Sequence, residues 1–192
     1  MEHKESAEIA QARWEDHHDF AASAYRAANN HLNVIEAILG KRYDEQDSHE
    51  LLSRLRSFFW ELYGVWDLLH AWANIHYKLG LTGSEISPGK VQKKMKDNPQ
   101  CAQAYAIVDE AVNSEWFFEV RTYRNYAHRS YMRAESIVAL DDNSASTFLV
   151  RAREGQGLVP MQEQLKQYLL AMGEVGKKIG AVKAASTGLS PE

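Results

Sequence analysis

The chain has 192 residues, of which 45% are hydrophobic and 25% are charged, a composition typical of a soluble globular protein. No stretch reaches the roughly 18 uncharged apolar residues that a membrane-spanning helix needs, which argues against an integral membrane protein and predicts no membrane partner. The single cysteine, Cys101, excludes an intramolecular disulfide and a multi-cysteine zinc or iron–sulfur site.

The charge is unevenly distributed along the chain. The net charge is −4, yet residues 1–50 carry eleven acidic and five basic side chains, whereas the remainder carries fifteen and seventeen. Between residues 88 and 133, eight basic side chains stand against five acidic ones. Such a local basic region is poorly suited to coating duplex nucleic acid but can hold one phosphate-bearing ligand. The first ten residues are charged and have no apolar segment, so we expect no secretory signal and a cytoplasmic protein.

The first predicted element is a long helix from Glu5 to Leu39. This range contains no proline or glycine and is rich in alanine, which favours helix. Its apolar stripe is thin, which predicts an outer position in a bundle, and Gly40 follows as a terminator. The stripe consists of Ile9, Ala12, Phe20, Ala24, Ala27, Val34 and Ile38.

The second predicted helix is the central helix of the bundle. It follows the polar linker 41–47, with Asp47 or Ser48 as its cap, and ends near Leu79 and Gly80. Apolar residues occupy two of its faces, so both faces must be covered by other helices. One face carries Leu52, Leu55, Phe59, Leu62, Trp66 and Leu69, and the other carries Leu51, Phe58, Val65 and Trp72.

A connector and a third long helix follow. The segment 81–99 contains glycines and prolines and is predicted to be a connector with a short basic helix between Gly89 and Asp97. The third helix is predicted to start after Pro99, to pause near residues 113–114 and to end near residues 128–131.

The segment 135–153 changes from helical to β-prone character. Two β-prone runs, 137–140 and 147–150, flank a polar turn cluster, which predicts a small hairpin. Pro160 then opens a last helix that runs from Met161 to about Lys183.

Together these elements predict an all-α fold. The expected architecture is an antiparallel four-helix-type bundle with a small β-hairpin or irregular insertion before the last helix. The chain length favours a single domain, assigned to residues 1–185, and a disordered tail is expected over residues 186–192.

The stretch 117–131 is chemically the most informative. Four of its polar side chains are offset by three, four and seven residues and therefore share one face of a helix. They are Arg121, Arg124, Asn125 and His128. Two guanidinium groups, an amide and an imidazole in one place suit phosphate binding and proton transfer near neutral pH, although a solvated basic face is the alternative. A neighbouring face that can anchor the helix consists of Trp116, Val120, Tyr123 and Ala127.

This stretch resembles the signature of HEPN domains. Arg121 and His128 form an Arg-x6-His motif, with an Arg-Asn pair inside it and a Trp-Phe-Phe lead-in, which is similar to the family's Arg-x4–6-His motif. Residues 59–79 resemble the corresponding helix of a poorly characterised HEPN-like subgroup, and the similarity covers roughly residues 51–131. HEPN domains are α-helical, nucleotide- and RNA-associated domains that are common in bacterial toxin–antitoxin and defence systems.

The resemblance implies a homodimer whose motif helices face each other across a cleft, and a metal-independent endoribonuclease without a cofactor. In that scheme His128 transfers a proton at the ribose 2′-hydroxyl that attacks the adjacent phosphodiester, Arg121 stabilises charge on the phosphate and Asn125 orients groups. The ligand is then RNA or a nucleotide, because DNA lacks the 2′-hydroxyl. A cognate antitoxin or nucleotidyltransferase is the protein partner that the family suggests. The expected substrate contacts are Arg124, Arg129, Tyr131, Lys93 and Lys94.

Two departures from the family pattern leave alternatives open. The pattern places Asn, Asp or His directly after the motif arginine, whereas Thr122 follows Arg121, and the Arg-Asn pair lies one residue too close to the histidine. Either arginine is therefore the functional one, or the same cluster is a non-catalytic nucleotide- or RNA-binding or regulatory surface. Some members carry a modified tyrosine two residues after the histidine; Tyr131 stands three residues after it, so we do not expect its modification.

The remaining polar residues are expected to have structural roles and not catalytic or metal-binding ones. Glu15 and His18 have the helical spacing of a carboxylate–histidine metal pair, but the second pair that a bundle di-metal site requires is missing, so no metal site is predicted. His70 and His76 are expected to be buried or boundary histidines that are satisfied by hydrogen bonds.

Asp67 and Asn74 lie seven residues apart on the predicted central helix, among aromatic residues. A buried polar pair of this kind must be satisfied by hydrogen bonds. We therefore expect a structural role that holds the motif helix, with substrate contact as the alternative. Cys101 is expected to be a buried or incidental thiol.

Overall fold

The computed structural model describes residues 2–40, 45–128, 134–138, 145–149 and 159–182. The fold is all-α, as predicted, apart from one pair of short strands before the last helix. The helices are α1 (Glu2–Leu39), α2 (Glu45–His76), α3 (Pro88–Lys96), α4 (Ala102–Val112), α5 (Glu115–His128) and α6 (Met161–Ala181). Short 3-10 turns at Gly83–Glu85 and Pro99–Cys101 flank α3. Among the described residues, none of the helices combines the length and the apolar character that a membrane crossing requires.

Most helix boundaries lie close to the predicted ones. The predicted pause in the third helix is the break between Val112, where α4 ends, and Glu115, where α5 begins. The predicted cap of α2 was wrong, because the helix already begins at Glu45 and both Asp47 and Ser48 lie inside its first turn. Acidic and small polar residues are favourable there too, since they face the positive end of the helix dipole.

The insertion before α6 contains two short strands, β1 (Ala134–Val138) and β2 (Ala145–Leu149). They pair antiparallel, with Ala134 opposite Leu149 and Val138 opposite Ala145. A hairpin was predicted in this segment, but the strands begin three and two residues before the predicted runs 137–140 and 147–150. The turn between the strands, the flanking segments 129–133 and 150–158, and the tail predicted over 186–192 lie outside the described residues.

The chain divides into two compact units. The first unit consists of residues 1–24, 64–114 and 172–192, and the second consists of residues 25–63 and 115–171. The single domain over 1–185 stays a prediction.

The second unit has an aromatic core between α2, α5 and α6. The Phe59 ring stacks on that of Tyr123 at a centroid distance of 5.1 Å and lies 6.1 Å from that of Tyr168. One turn further along α2, Tyr63 stacks on Phe117 at 6.2 Å. Since the contacts advance along α2 while they recede along α5, these two helices run antiparallel, as predicted.

The two apolar faces of α2 are confirmed. Every position predicted to be apolar and covered is buried, except Leu52, which is half-buried. Phe58, Phe59 and Leu62 are fully inaccessible to solvent. Because both of its apolar faces are buried, α2 is a core helix, as the sequence pattern indicated.

The predicted apolar stripe of α1 was correct at Ala24 and Ile38, which are buried, and wrong at its other described positions. Phe20 is 56% exposed, Ala27 and Val34 are half-buried, and the side chains of Ile9 and Ala12 lie outside the described ones. The buried positions are Ala21, Ala24, Ala28, Leu32, Ile35 and Ile38. Their spacing of three and four residues is helical. The predicted stripe lay partly off this face, because it included the exposed Phe20 and missed Leu32 and Ile35.

His70 links α2 to α3 in the first unit. Its Nδ1 lies 2.8 Å from the carbonyl oxygen of Trp66, and its Nε2 lies 3.0 Å from the amide nitrogen of Gln92. Because that amide nitrogen can only donate, Nε2 accepts and the Nδ1–H donates to the carbonyl, so the ring is neutral. Burial lowers the pKa of His70 to about 4. The predicted buried, hydrogen-bonded histidine is confirmed.

His76 is half-buried and stacks on the indole of Trp72, with ring centroids 4.6 Å apart and planes 11° apart. Burial lowers the pKa of His76. This boundary position agrees with the prediction for His76.

Asn74 fastens the loop that follows α2. Its side-chain amide donates to the Leu81 carbonyl at 2.9 Å, and its side-chain oxygen accepts from the Leu81 N–H at 3.1 Å. The predicted structural role of Asn74 is confirmed, but its partner is this loop and not the motif helix. Asp67 is exposed, so the predicted buried pair of Asp67 and Asn74 was wrong. Seven residues place two side chains on similar faces but do not ensure equal burial.

Candidate functional site

The helix α5 has a packing face and a polar face. Phe117, Val120, Tyr123 and Ala127 are buried and Trp116 is half-buried, which confirms the predicted anchoring face. On the polar face Arg121 and Asn125 are exposed and Arg124 is half-buried. These three side chains are called the arginine face below. The predicted clustering of Arg121, Arg124 and Asn125 on one side of a helix is therefore present.

Arg124 is held by two aromatic residues of α2. Its guanidinium carbon lies 4.8 Å from the ring centroid of Trp60 and 5.2 Å from that of Tyr63. Its Nη1 also donates to Oδ1 of Asn125 at 3.4 Å. Trp60 and Tyr63 are called the aromatic shelf below; Tyr63 in turn stacks on the buried Phe117. Cation–π contacts of this kind fix the position of a guanidinium group without neutralising its charge.

Arg121 lies one turn before Arg124 and is more accessible. Its guanidinium carbon is 5.8 Å from the ring centroid of Phe118, on the same helix. Within the described part of the chain, no carboxylate forms an ion pair with Arg121. An exposed guanidinium group that forms no ion pair among the described residues is well suited to bind a phosphate.

Thr122, which departs from the family pattern, is turned toward its own helix. Its hydroxyl donates to the carbonyl oxygen of Phe118 at 2.8 Å, four residues earlier. A threonine that bonds back to the preceding turn satisfies its own polar group locally. The position after Arg121 therefore does not place a polar group on the arginine face.

A buried hydrogen-bonded cluster, missed at the sequence level, ties α5 to α6. The Tyr168 hydroxyl donates to Oε2 of Glu119 at 2.5 Å, and the side-chain amide of Gln164 donates to the Tyr168 oxygen at 2.5 Å. The same amide lies 3.5 Å from the Glu119 carboxylate. The pKa of Tyr168 is raised far above its ordinary value, mainly by burial and secondly by the hydrogen-bonded Glu119 carboxylate. Glu119 is two residues from Arg121, so it lies on the far flank of α5 from the arginine face.

The other predicted site residues have the following places. His128 is the last residue of α5, and its side chain lies outside the described ones, as do Arg129 and Tyr131. Lys93 and Lys94 are exposed on α3, which belongs to the first unit, whereas α5 belongs to the second.

Neither a metal site nor a reactive thiol emerges from the described residues. Within them, no group of three or more His, Cys, Asp and Glu side chains could hold a metal ion. The side chains of Glu15 and His18 lie outside the described ones. Cys101 is a buried thiol whose pKa is raised by burial, as expected of a structural cysteine.

No protein-family model, no curated protein and no solved structure matches this chain. The arginine face offers an exposed cation, a second cation held by aromatic rings and an exposed amide. Such a surface can bind an anionic group and place a flat aromatic group beside it.

Proposed function

We propose that the protein is a HEPN-like, metal-independent endoribonuclease that binds RNA through the arginine face. The observation that carries the proposal is the exposed guanidinium group of Arg121, which has no ion pair among the described residues and shares a helix face with Asn125. His128 stands seven residues after Arg121, which is two helical turns along the same face of α5.

In the proposed reaction the ribose 2′-hydroxyl gives its proton to His128, and its oxygen forms a bond to the adjacent phosphorus. The bond from phosphorus to the 5′-oxygen of the next nucleotide breaks, and that oxygen takes up a proton from water as it leaves. His128 then releases to water the proton that it took from the 2′-hydroxyl. The products are a 2′,3′-cyclic phosphate and a 5′-hydroxyl. Arg121 stabilises the negative charge that develops on the phosphate oxygens, and Asn125 donates a hydrogen bond that orients the group.

The proposal extends to the partners that the HEPN resemblance implies. A homodimer in which two copies of α5 face each other would place two arginine faces on one RNA strand. A cognate antitoxin or nucleotidyltransferase would regulate the activity, and the protein would act in the cytoplasm. The mass of the purified protein by light scattering tests the dimer: a monomer at micromolar concentration contradicts it.

A second candidate function is RNA or nucleotide binding without cleavage. It is favoured by Thr122, whose hydroxyl is bonded to the Phe118 carbonyl and so cannot serve the polar role that the family pattern has at this position. Both functions use Arg121 for the phosphate. They differ only in whether His128 catalyses cleavage of the bound RNA.

The decisive experiment incubates labelled single-stranded RNAs with the purified protein in the presence of a chelator. We expect cleavage that falls by roughly 10²–10⁴-fold in His128→Ala, because one positioned acid–base group contributes about that much. His49→Ala, at an exposed position of α2, is the control that leaves cleavage unchanged. If wild type and His128→Ala are equally inert but Arg121→Ala abolishes binding, the non-catalytic function is selected. If Arg121→Ala changes no affinity, both functions are wrong.

A further inference from the structure

Trp60 is an exposed aromatic residue beside the arginine face. Half of its surface, 51%, is accessible to solvent, although a tryptophan side chain is large and apolar. Phe20 and Leu170 are the other large hydrophobic residues exposed within the described part of the chain. The Trp60 ring lies beside a charged group, because the Arg124 guanidinium carbon is 4.8 Å from its ring centroid.

The neighbours of Trp60 restrict what could cover it. An apolar protein surface or an acyl chain would bury the Arg124 guanidinium group without a counter-charge, which is costly. A nucleotide base is flat, stacks on indole and guanidinium groups alike and carries its own phosphate. The exposed Arg121 lies three residues from Arg124, a distance along the helix that is comparable to the span between a base and its phosphate.

We propose that Trp60 is a stacking subsite for an unpaired base of RNA whose phosphate binds Arg121. The inference rests on the proposed function and adds an α2 residue and a substrate class, an unpaired nucleotide. A base in a duplex is already stacked between its neighbours and cannot reach the Trp60 ring, so the subsite favours single strands. Arg124 keeps the indole in place from one side and contributes positive charge.

Two labelled oligonucleotides test the subsite by fluorescence anisotropy at one fixed salt concentration. The first is a 2′-O-methyl adenylate dodecamer, which the proposed chemistry cannot cleave because its 2′-hydroxyls are blocked. The second has the same backbone but abasic positions throughout. Since stacking of one base contributes roughly 5- to 150-fold in affinity, wild type is expected to prefer the adenylate strand by a factor in that range.

The variants separate stacking from phosphate binding. Trp60→Ala is expected to lose the preference for bases, whereas Trp60→Phe keeps most of it because a phenyl ring still stacks. Phe20→Ala, which also removes an exposed aromatic ring, is the matched control that keeps the preference in full. Arg121→Ala is expected to weaken binding of both oligonucleotides alike, since both carry the phosphates.

The outcomes distinguish the two proposals. If Trp60→Ala retains the preference for bases, or wild type shows none, the subsite is wrong while an effect of Arg121→Ala still supports the proposed function. Trp60→Ala could instead weaken binding of both oligonucleotides equally and lower the mass of the protein in light scattering. In that case Trp60 belongs to the interface between two copies of the chain, and the subsite is wrong. If wild type binds neither oligonucleotide, both proposals fail.

Discussion

The buried histidine of α2 predicts how the stability of the protein depends on pH. His70 is 1% exposed, and both of its ring nitrogens are used in hydrogen bonds that require the neutral ring. Its pKa is lowered from 6.5 to about 4 in the folded protein, mainly because burial disfavours the charged form. The unfolded chain therefore binds a proton on this side chain between pH 6.5 and 4, whereas the folded chain does not.

The sign and the size of the effect follow from this difference. Because the unfolded state binds more protons in this window, the free energy of unfolding falls as the pH falls from 6.5 toward 4. The gap between 6.5 and about 4, at about 1.36 kcal/mol per pH unit, corresponds to a loss of about 3 kcal/mol. Above pH 6.5 the contribution of His70 is fully present.

His70→Gln removes the titration and can keep both hydrogen bonds, since a glutamine amide both donates and accepts. Urea unfolding curves at pH values from about 4.5 to about 7.5 give the free energy of unfolding for each variant at one protein concentration. Between neutral and acidic pH, we expect the free energy of unfolding of His70→Gln to fall less than that of wild type, by up to about 3 kcal/mol.

His49→Gln makes the same substitution at an exposed position of the same helix and should follow the wild-type curve. His31 and His76, whose pKa values are also lowered by burial, are present in all three proteins, so their contributions cancel in the comparison. A His70→Gln curve that is parallel to that of wild type would refute the assignment of a neutral, buried His70.

Three substitutions test other parts of the fold by urea unfolding at neutral pH. Lys78, just after α2, has φ 52°, which glycine adopts without a steric cost. Lys78→Gly should therefore stabilise the protein by about 0.5–1 kcal/mol, whereas Lys78→Ala should not. An equal gain in both variants would contradict a cost of the positive φ. Asn74→Ala should destabilise by about 1–3 kcal/mol because it leaves two backbone groups of Leu81 without partners, and an unchanged midpoint would mean that water replaces the side chain. Tyr168→Phe should destabilise by about 1–3 kcal/mol, since it removes the donor to Glu119; a gain in stability would show that the cluster is a net cost.

Apolar periodicity carried most of the fold prediction, and it was reliable where large side chains formed the pattern. On α2, leucine and aromatic residues recur at three and four residues on two faces, and their burial follows directly from helix geometry. On α1 the same reasoning was only partly correct, because half of the buried positions listed above are alanines. Ala21 and Ala28 are buried whereas Phe20 is exposed, since close helix packing selects for small volume that a hydrophobicity pattern hardly registers.

In the candidate site, too, some features could be predicted from the sequence and others could not. Spacing alone placed Arg121, Arg124 and Asn125 on one face, because residues three and four apart on one helix are neighbours whatever the fold. The contacts of Arg124 with Trp60 and of Glu119 with Tyr168 join residues that are far apart in sequence. They depend on the register between packed helices, which a single sequence does not determine. The signal for the aromatic shelf that the sequence offered was the position of Trp60 and Tyr63, three residues apart and outside both predicted apolar faces of the central helix.

These long-range contacts also distinguish Arg124 from Arg121. Glu119 is bonded to Tyr168 on one flank of α5, and Arg124 is held by Trp60 on the other, so α5 is fixed against rotation from both sides. Arg124 is therefore engaged in packing against α2. Arg121 has no such contact with α2 or α6 among the described residues and remains accessible on the same face. Of the two arginines, Arg121 is thus the one whose side chain can turn to a phosphate without first breaking the contacts that position α5.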